Sequence, residues 1–343
     1  MKIGNKQLKN KYIALIAVII VLVAGALWSL PYLTSATAET AMVYVPTGAT
    51  NDQLRDSLES SLGKPFGTKV AQVLQWRGVD ADRCSGAYRI EQGTNIINTA
   101  RTIMHRRQTP IKVTFNNKRT LKDWSETVSA KLMMSSDELL AAVTNEEKCA
   151  ELGFTPETVP AMLFPDTYEF YWTVTPDELL AKFKTYYDKF WTGDRLAKAK
   201  ALGITPIEVT TVASITEEES AKRDERGRIG RLYINRFMRS MPLQADPTVK
   251  FAIGDFKIQR ITGAMLKTDS PYNTYRYAGF PPGPIRLTEQ KTIDAVLNSE
   301  PSSDLFMCAK ADFSGYHHFS STFPEHVKYA QEYHKALNAL NIH

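Results

Sequence analysis

The sequence predicts an α+β protein in three parts: an N-terminal single transmembrane helix, a small βααβ module and a larger mixed α+β domain. Two observations predict it. Tyr12 to Leu30 reads YIALIAVIIVLVAGALWSL, nineteen residues without a charge, and at the helical rise of about 1.5 Å per residue such a run just crosses a bilayer core. Beyond it, short apolar strands are mixed with helices that carry recognisable start signals. The three parts fall at residues 1–38, 39–125 and 126–343.

Lys2, Lys6, Lys9 and Lys11 precede the apolar run, and Trp28 and Tyr32 stand where an interfacial aromatic belt falls. The lysine-rich side is expected to stay in the cytoplasm, so everything after Tyr32 is exported. Ala36-Thr37-Ala38 has the A-x-A form of a cleavage site, but nineteen apolar residues exceed a signal-peptide core of about 7 to 15, so a retained anchor is expected. No cysteine lies near the run, which argues against a lipoprotein. Setting the four anchor lysines aside from the net charge of +5 leaves +1. That balance argues against nucleic acid, which needs a clustered basic face. Cys84, Cys149 and Cys308 lie far apart and form neither a metal-ligand pattern nor a disulfide framework, although one pair could close outside the cytoplasm.

After the anchor, a strand at Met42 to Val45 and a turn at Pro46-Thr47-Gly48 lead into a helix in which Asn51 can cap and Leu54, Leu58 and Leu62 share a face. A second helix around Val70 to Trp76 and a strand at Ala87 to Ile90 close a β-α-α-β order that resembles a LysM-type sugar-binding module. The same residues serve equally as a spacer. Gly93-Thr94-Asn95 then opens a helix ending near His105, followed by a strand at Ile111 to Phe115 and helices at Leu121 to Met133 and Asp137 to Ala150. Met162 to Tyr171 packs aromatics around Pro165, as a sugar-site wall or as a core segment, the commoner use. A helix from Pro176 to Trp191 is broken at Gly193-Asp194.

Thr205-Pro206-Ile207-Glu208 is a strong helix start: a threonine cap, proline at the first position and glutamate three residues after the cap. The helix is expected to run through Ser220. At 100° per residue, Val212, Ile215 and Glu219 form one stripe and Glu217 points about 200° away from Glu219. A carboxyl group at the edge of a core loses hydration, and Glu218 beside it adds like charge. Both raise the pKa of Glu219, as an acid catalyst requires. A solvated acidic patch at Glu217 to Glu219 is the plain alternative.

Downstream lie a helix from Gly230 to Met238 carrying Asn235-Arg236, then MPLQADPTV (Met241 to Val249), SPYNTY (Ser270 to Tyr275) and GFPPGPI (Gly279 to Ile285). Asp246-Pro247 is expected to fix an irregular loop, Tyr272, Asn273 and Tyr275 offer flat faces and amide hydrogen bonds suited to sugars, and the proline run makes a stiff wall. His317, His318 and His326 show no familiar ligand spacing, so no metal and no cofactor are expected.

In this order the motifs resemble the MltG, or YceG-like, family of endolytic murein transglycosylases. Its pattern A-S-I-x-E-x-E-[ST] is met by Ala213-Ser214-Ile215 with Glu217, Glu219 and Ser220; the N-R, M-x-L-Q-x-D-P-T-V, Y-N-T-Y and G-[LF]-P-P-G-x-I segments follow, then Gly315-Tyr316-His317-His318-Phe319 and Glu325-His326. The likeness covers most of Pro206 to Leu340. It implies cleavage of the β-1,4 bond between N-acetylmuramic acid and N-acetylglucosamine in nascent peptidoglycan strands, leaving 1,6-anhydro-muramoyl ends. The resemblance also implies Glu219 as the catalytic acid and then base, with Glu217 the runner-up, and suggests peptidoglycan synthases as partners. Asn235, Asp246, Tyr272, Asn273, Tyr275 and His317 are the expected substrate contacts. Glu218 stands where the family usually has lysine. The other readings are a hydrolytic muramidase, for which Asp246 would be the second carboxylate, and a non-catalytic wall-binding scaffold. The expected location is the inner membrane, with a cytoplasmic N-terminus and the catalytic domain in the periplasm or outer face.

Overall fold

The structure, a computed structural model, describes residues 3–258 and 260–339. Lys2 and Leu340 lie outside the described residues, as do the side chains of Lys6 and Lys9. The chain divides into two compact units, residues 1–112 with 169–174, and residues 113–168 with 175–343.

The first unit opens with helix α1 (Ile3–Thr34), whose Lys11–Thr34 stretch is long and apolar enough to cross a membrane. At its end Trp28, Tyr32 and Trp76 meet with ring centroids 5.4 Å apart, and the Tyr32 hydroxyl donates to Gln72 at 3.2 Å. Strand β1 (Ala41–Val45), helices α2 (Asn51–Leu62) and α3 (Lys64–Trp76) and strand β2 (Gly86–Ile90) follow in the expected order. β1 and β2 pair antiparallel, Val43 opposite Tyr88. The cap of α2 is Thr50, which forms a reciprocal capping box with Gln53; Asn51 is already helical. Threonine wins because glutamine stands three residues after it and returns a bond to its backbone N–H. Helix α4 (Ile96–Met104), capped by Asn95, completes the unit, and Val43, Leu58, Val70, Ile96 and Ile103 are wholly buried in its core.

Strands β3 (Ile111–Phe115) and β4 (Asp166–Phe170) pair as a two-stranded ribbon. In the second unit, helix α5 (Leu121–Ser129) is shorter than the expected helix, and the stretch from Asp137 to Ala150 is two helices, α6 (Ser136–Val143) and α7 (Glu146–Glu151). Asn145 explains the break: its side chain accepts from the Lys148 N–H and starts a second helix. Helices α8 (Pro176–Phe190) and α9 (Gly193–Ala201) follow. The aromatics around Pro165 form core here: Tyr168 is buried, stacking on Phe115 at 5.6 Å and meeting Phe183 edge-on at 4.7 Å.

Helix α10 (Pro206–Glu219) is the hub of this unit. Its capping box and N1 proline match the sequence reading, but its surface does not. Val209 through Glu217 are all buried, so α10 is a central helix rather than an amphipathic one, and it stops at Glu219 with Ser220 as cap. Helices α11 (Arg226–Met238), α12 (Asp246–Ile253) and α13 (Gln290–Leu297) surround it. α11 and α13 approach closely because Gly227 has no side chain; a Cβ there would meet the Ala295 carbonyl oxygen at 2.8 Å. Asp246-Pro247 opens α12 and so begins a helix where a loop was expected, in keeping with the preference of proline for the first turn. Strands β5 (Phe306–Ala309) and β6 (His317–Ser320) form a hairpin covered by α14 (Phe323–Ala339). The protein is of the α+β class with three small two-stranded sheets among the described residues. Cys84, Cys149 and Cys308 are all free thiols.

Candidate active site

The C-terminal end of α10 delivers three successive glutamates to three environments. Glu217 points inward: it accepts from Asn117 Nδ2 at 2.6 Å and from the Glu289 N–H at 3.1 Å, with Arg226 Nη1 3.8 Å away. Glu218 turns to a pair of arginines, accepting two bonds from Arg119 at 2.9 Å and one from Arg286 at 2.7 Å. Glu219 lines a cavity of about 170 Å³ together with Tyr233, Arg236, Gln244, Asp246 and Tyr275. A helix turns about 100° per residue, so neighbours must diverge in this way.

The cavity is lined mostly by polar side chains, several of them held by hydrogen bonds. Tyr233 of α11 donates its hydroxyl to Glu219 Oε1 at 2.9 Å. Tyr275 donates to Asp246 Oδ1 at 2.6 Å. Behind Asp246 a buried threonine pair fixes the register: the Thr248 and Thr274 hydroxyls lie 2.8 Å apart, and the Ala245 N–H donates to Thr274 at 3.0 Å. The YNTY segment is thereby zipped to the first turn of α12, which sets Tyr275 beside Asp246. Gln244 reaches the cavity from left-handed backbone (φ 53°), its N–H donating to the Thr274 carbonyl. Left-handed backbone on a non-glycine residue is costly, and such strain gathers at working sites.

Burial is the main reason why the Glu219 carboxyl is pushed up to about 7 from an ordinary 4.5; the negative charge of Asp246 and, weakly, of Glu218 add to it, while the Tyr233 hydrogen bond and Lys250 oppose it. The sequence reading named lost hydration and Glu218 together; the Glu218 part is small, because its charge is shared with Arg119 and Arg286. Burial likewise raises the Glu217 carboxyl, against the lowering effects of Arg286, the Glu289 N–H, Arg226 and Asn117. Because the folded value of Glu219 lies above the unfolded one, its contribution to stability is full below about pH 4.5 and is lost as pH rises through about 7. A carbon-13 titration of this carboxyl is expected to give a midpoint near 7, lower in Asp246→Asn and higher in Tyr233→Phe. Shifts of the opposite sign would contradict the assignment of these neighbours.

Of the substrate contacts expected from sequence, the cavity gathers Asp246 and Tyr275 around Glu219. Asn235 instead donates to the Ser302 and Asp304 carbonyls at 2.8 and 3.0 Å, tying α11 to the segment before β5. Asn273 is fully buried and donates to the Leu266 and Thr268 carbonyls, so it shapes the loop that presents Tyr275. Tyr272 lies on a separate depression with Phe251. His317 is held by Glu225, ring Nδ1 to Oε2 at 3.0 Å and backbone N–H to Oε1 at 2.9 Å. Tyr233, Arg236 and Gln244 line the cavity without having been singled out. Arg236 is buried and donates to the Leu305 and Leu243 carbonyls at 2.6 and 2.7 Å. Arg236 and Gln244 stood inside quoted motifs, but nothing in their spacing tells a cavity wall from a turn, and Tyr233 meets Glu219 from another helix. No group of three or more His, Cys, Asp or Glu that could hold a metal is present among the described residues.

The second unit thus carries, on a cavity wall, one hydrogen-bonded carboxyl group raised to about 7, and perturbed groups of this kind gather at functional sites. Residues 43–332 match the YceG-like family, and the chain belongs to it. It is 33% identical over 176 residues, 51% of this chain and 48% of the relative, to a Bacillus subtilis protein named endolytic murein transglycosylase. A Streptococcus pneumoniae protein of the same name is 30% identical over 151 residues, 43% of this chain and 27% of the relative. The chain thus spans about half or less of the length of these curated relatives. The crystal structure of a YceG-like protein from Listeria monocytogenes superposes with a TM-score of 0.55 at 25% identity, over 84% of this chain and 98% of that one.

Proposed function

We propose that this protein is an endolytic murein transglycosylase that cuts the β-1,4 bond between N-acetylmuramic acid and N-acetylglucosamine inside glycan strands, with Glu219 as its acid and then its base. The observation that carries the reading is the Glu219 carboxyl on the cavity wall, pushed up to about 7, in a chain whose curated relatives bear that name. Near neutral pH such a group is present in both protonation states, which a single acid–base catalyst needs. Protonated Glu219 gives its proton to the glycosidic oxygen as the bond from the muramoyl anomeric carbon breaks. The resulting carboxylate takes the proton of the muramoyl 6-hydroxyl, whose oxygen bonds to that carbon and closes the 1,6-anhydro ring. Atoms balance without water, and Glu219 ends as it began. Tyr233 holds the carboxylate in place, Arg236 lines the same wall, and Tyr275 is held there by its bond to Asp246.

Asp246 favours a second reading, because two carboxyl groups on one cavity are the equipment of a hydrolase. Its hydrogen bond from Tyr275 supports a positioning role for Asp246 over that of a water-activating base. The apolar helix at Lys11–Thr34 supports a single-pass membrane anchor with the catalytic unit outside the cytoplasm. The βααβ arrangement of the first unit supports the LysM-like reading of that segment, and synthases working on the same strands are the partners this activity suggests. Mass spectrometry of the ends released by the full chain from uncrosslinked peptidoglycan tests the reaction. Anhydro-muramoyl ends are expected; reducing ends would establish the hydrolase instead.

A further inference from the structure

Beside the catalytic cavity lies a second depression, of about 190 Å³, that no step above uses. Two links connect them. Glu219 lines the cavity while its neighbour Glu218 holds Arg119 and Arg286 on the rim of the depression. Helix α12 starts at Asp246 in the cavity and presents Phe251, five residues further on, to the depression.

The lining is mostly apolar and stiff. Phe251 and Tyr272 lie 4.7 Å apart between ring centroids, and Phe251 continues to Phe256, whose face is covered by the Arg119 guanidinium at 5.1 Å. Pro156, Pro160 and Pro284 form the opposite wall. That wall cannot loosen easily, because Gly283 packs so closely on the Glu157 carbonyl that a Cβ would stand 1.9 Å from its oxygen. The two rim arginines share the Glu218 carboxylate and Glu157 also lines the depression, so it offers little net charge to an anion. An aromatic shelf facing a proline wall, with few polar groups at the rim, suits the flat C–H face and acetamido methyl of a neutral amino sugar.

We propose that this depression is a subsite for an N-acetylhexosamine ring of the glycan strand, next to the ring held at Glu219. The proposal rests on the glycan-cleaving reading and names where that substrate continues. Phe251 is its central contact, and Tyr272, one of the residues expected from sequence to meet sugar, works here rather than at the acid.

The test uses the full chain carrying Glu219→Gln, which binds strands without cutting them, and compares it with the same chain carrying Phe251→Ala or Phe251→Trp as well. The probes are glycan strands stripped of peptide stems, the single disaccharide, and strands that keep their stems, each followed by calorimetry. Phe251→Ala is expected to weaken peptide-free strands about tenfold, or roughly 1.4 kcal/mol, to leave the disaccharide unchanged, and to be rescued by Phe251→Trp. Undiminished strand binding in Phe251→Ala would overturn the subsite, and a loss confined to stem-bearing strands would make the depression a peptide site instead. Failure of Glu219→Gln to bind any glycan would sink the glycan-cleaving reading itself, an outcome distinct from either.

Discussion

Glu219→Gln is expected to slow the release of soluble fragments from uncrosslinked glycan strands about a thousandfold, within the range of about 10² to 10⁴ found for a positioned acid–base group. Glutamine has the shape of the acid and can still accept the Tyr233 hydroxyl, which now stands 2.9 Å from Glu219 Oε1, so the cavity keeps its form. What is lost is a proton that can leave and return. Because the acid must be protonated at the first step, the wild-type rate should fall as pH rises through about 7, following the raised carboxyl. That limb should disappear with the residual activity of Glu219→Gln. A variant retaining a tenth of the wild-type rate with the limb intact would remove Glu219 from the chemistry.

The divergence of Glu217 and Glu219 was legible in sequence for a reason only partly correct. Wheel geometry separated Glu217 from Glu219, and the structure sends the two side chains apart: one into the Asn117 and Arg226 network, the other to the cavity. The stripe argument was less sound, because α10 is buried all round and has no apolar face to speak of. Periodicity reports amphipathicity, and a central helix has none to report. Tyr233, which donates to Glu219, was out of reach for a different reason. It comes from a second helix, and contacts of that kind are set by tertiary packing that no local spacing records.

Local chemistry was read more faithfully than roles. Capping residues placed the start of α10 where a side-chain bond is seen, because a cap is decided within four residues. Asn273 and Asn235 illustrate the opposite limit. An amide in an irregular loop can meet a sugar or staple a carbonyl, and both asparagines staple carbonyls, at Leu266 and Thr268 for one and at Ser302 and Asp304 for the other. The sequence shows a donor in each case but not where its partner lies. Asp246-Pro247 misled similarly, since a proline that stiffens a loop also starts a helix.

The largest stability effect is expected at Glu217. Its side chain is 1% exposed, and it receives Asn117 at 2.6 Å and the Glu289 N–H at 3.1 Å, with Arg226 at 3.8 Å. Glu217→Ala strands these donors in a dry interior and leaves a buried guanidinium short of a counter-charge. Breaking a buried pair on one side costs about 3 to 5 kcal/mol. The lower end, about 3 kcal/mol, is expected here, because Arg226 keeps Thr292 at 2.7 Å and Glu289 at 3.6 Å. Glu217→Gln retains an acceptor for Asn117 or the Glu289 N–H and should lose about half as much, measured by equilibrium urea unfolding of the full chain in detergent. Its folded enzyme should still lose activity as pH rises through about 7, since Glu219 is untouched. A Glu217→Gln protein of unchanged stability that had lost this limb would invert the assignment, making Glu217 the acid and Glu219 the neighbour.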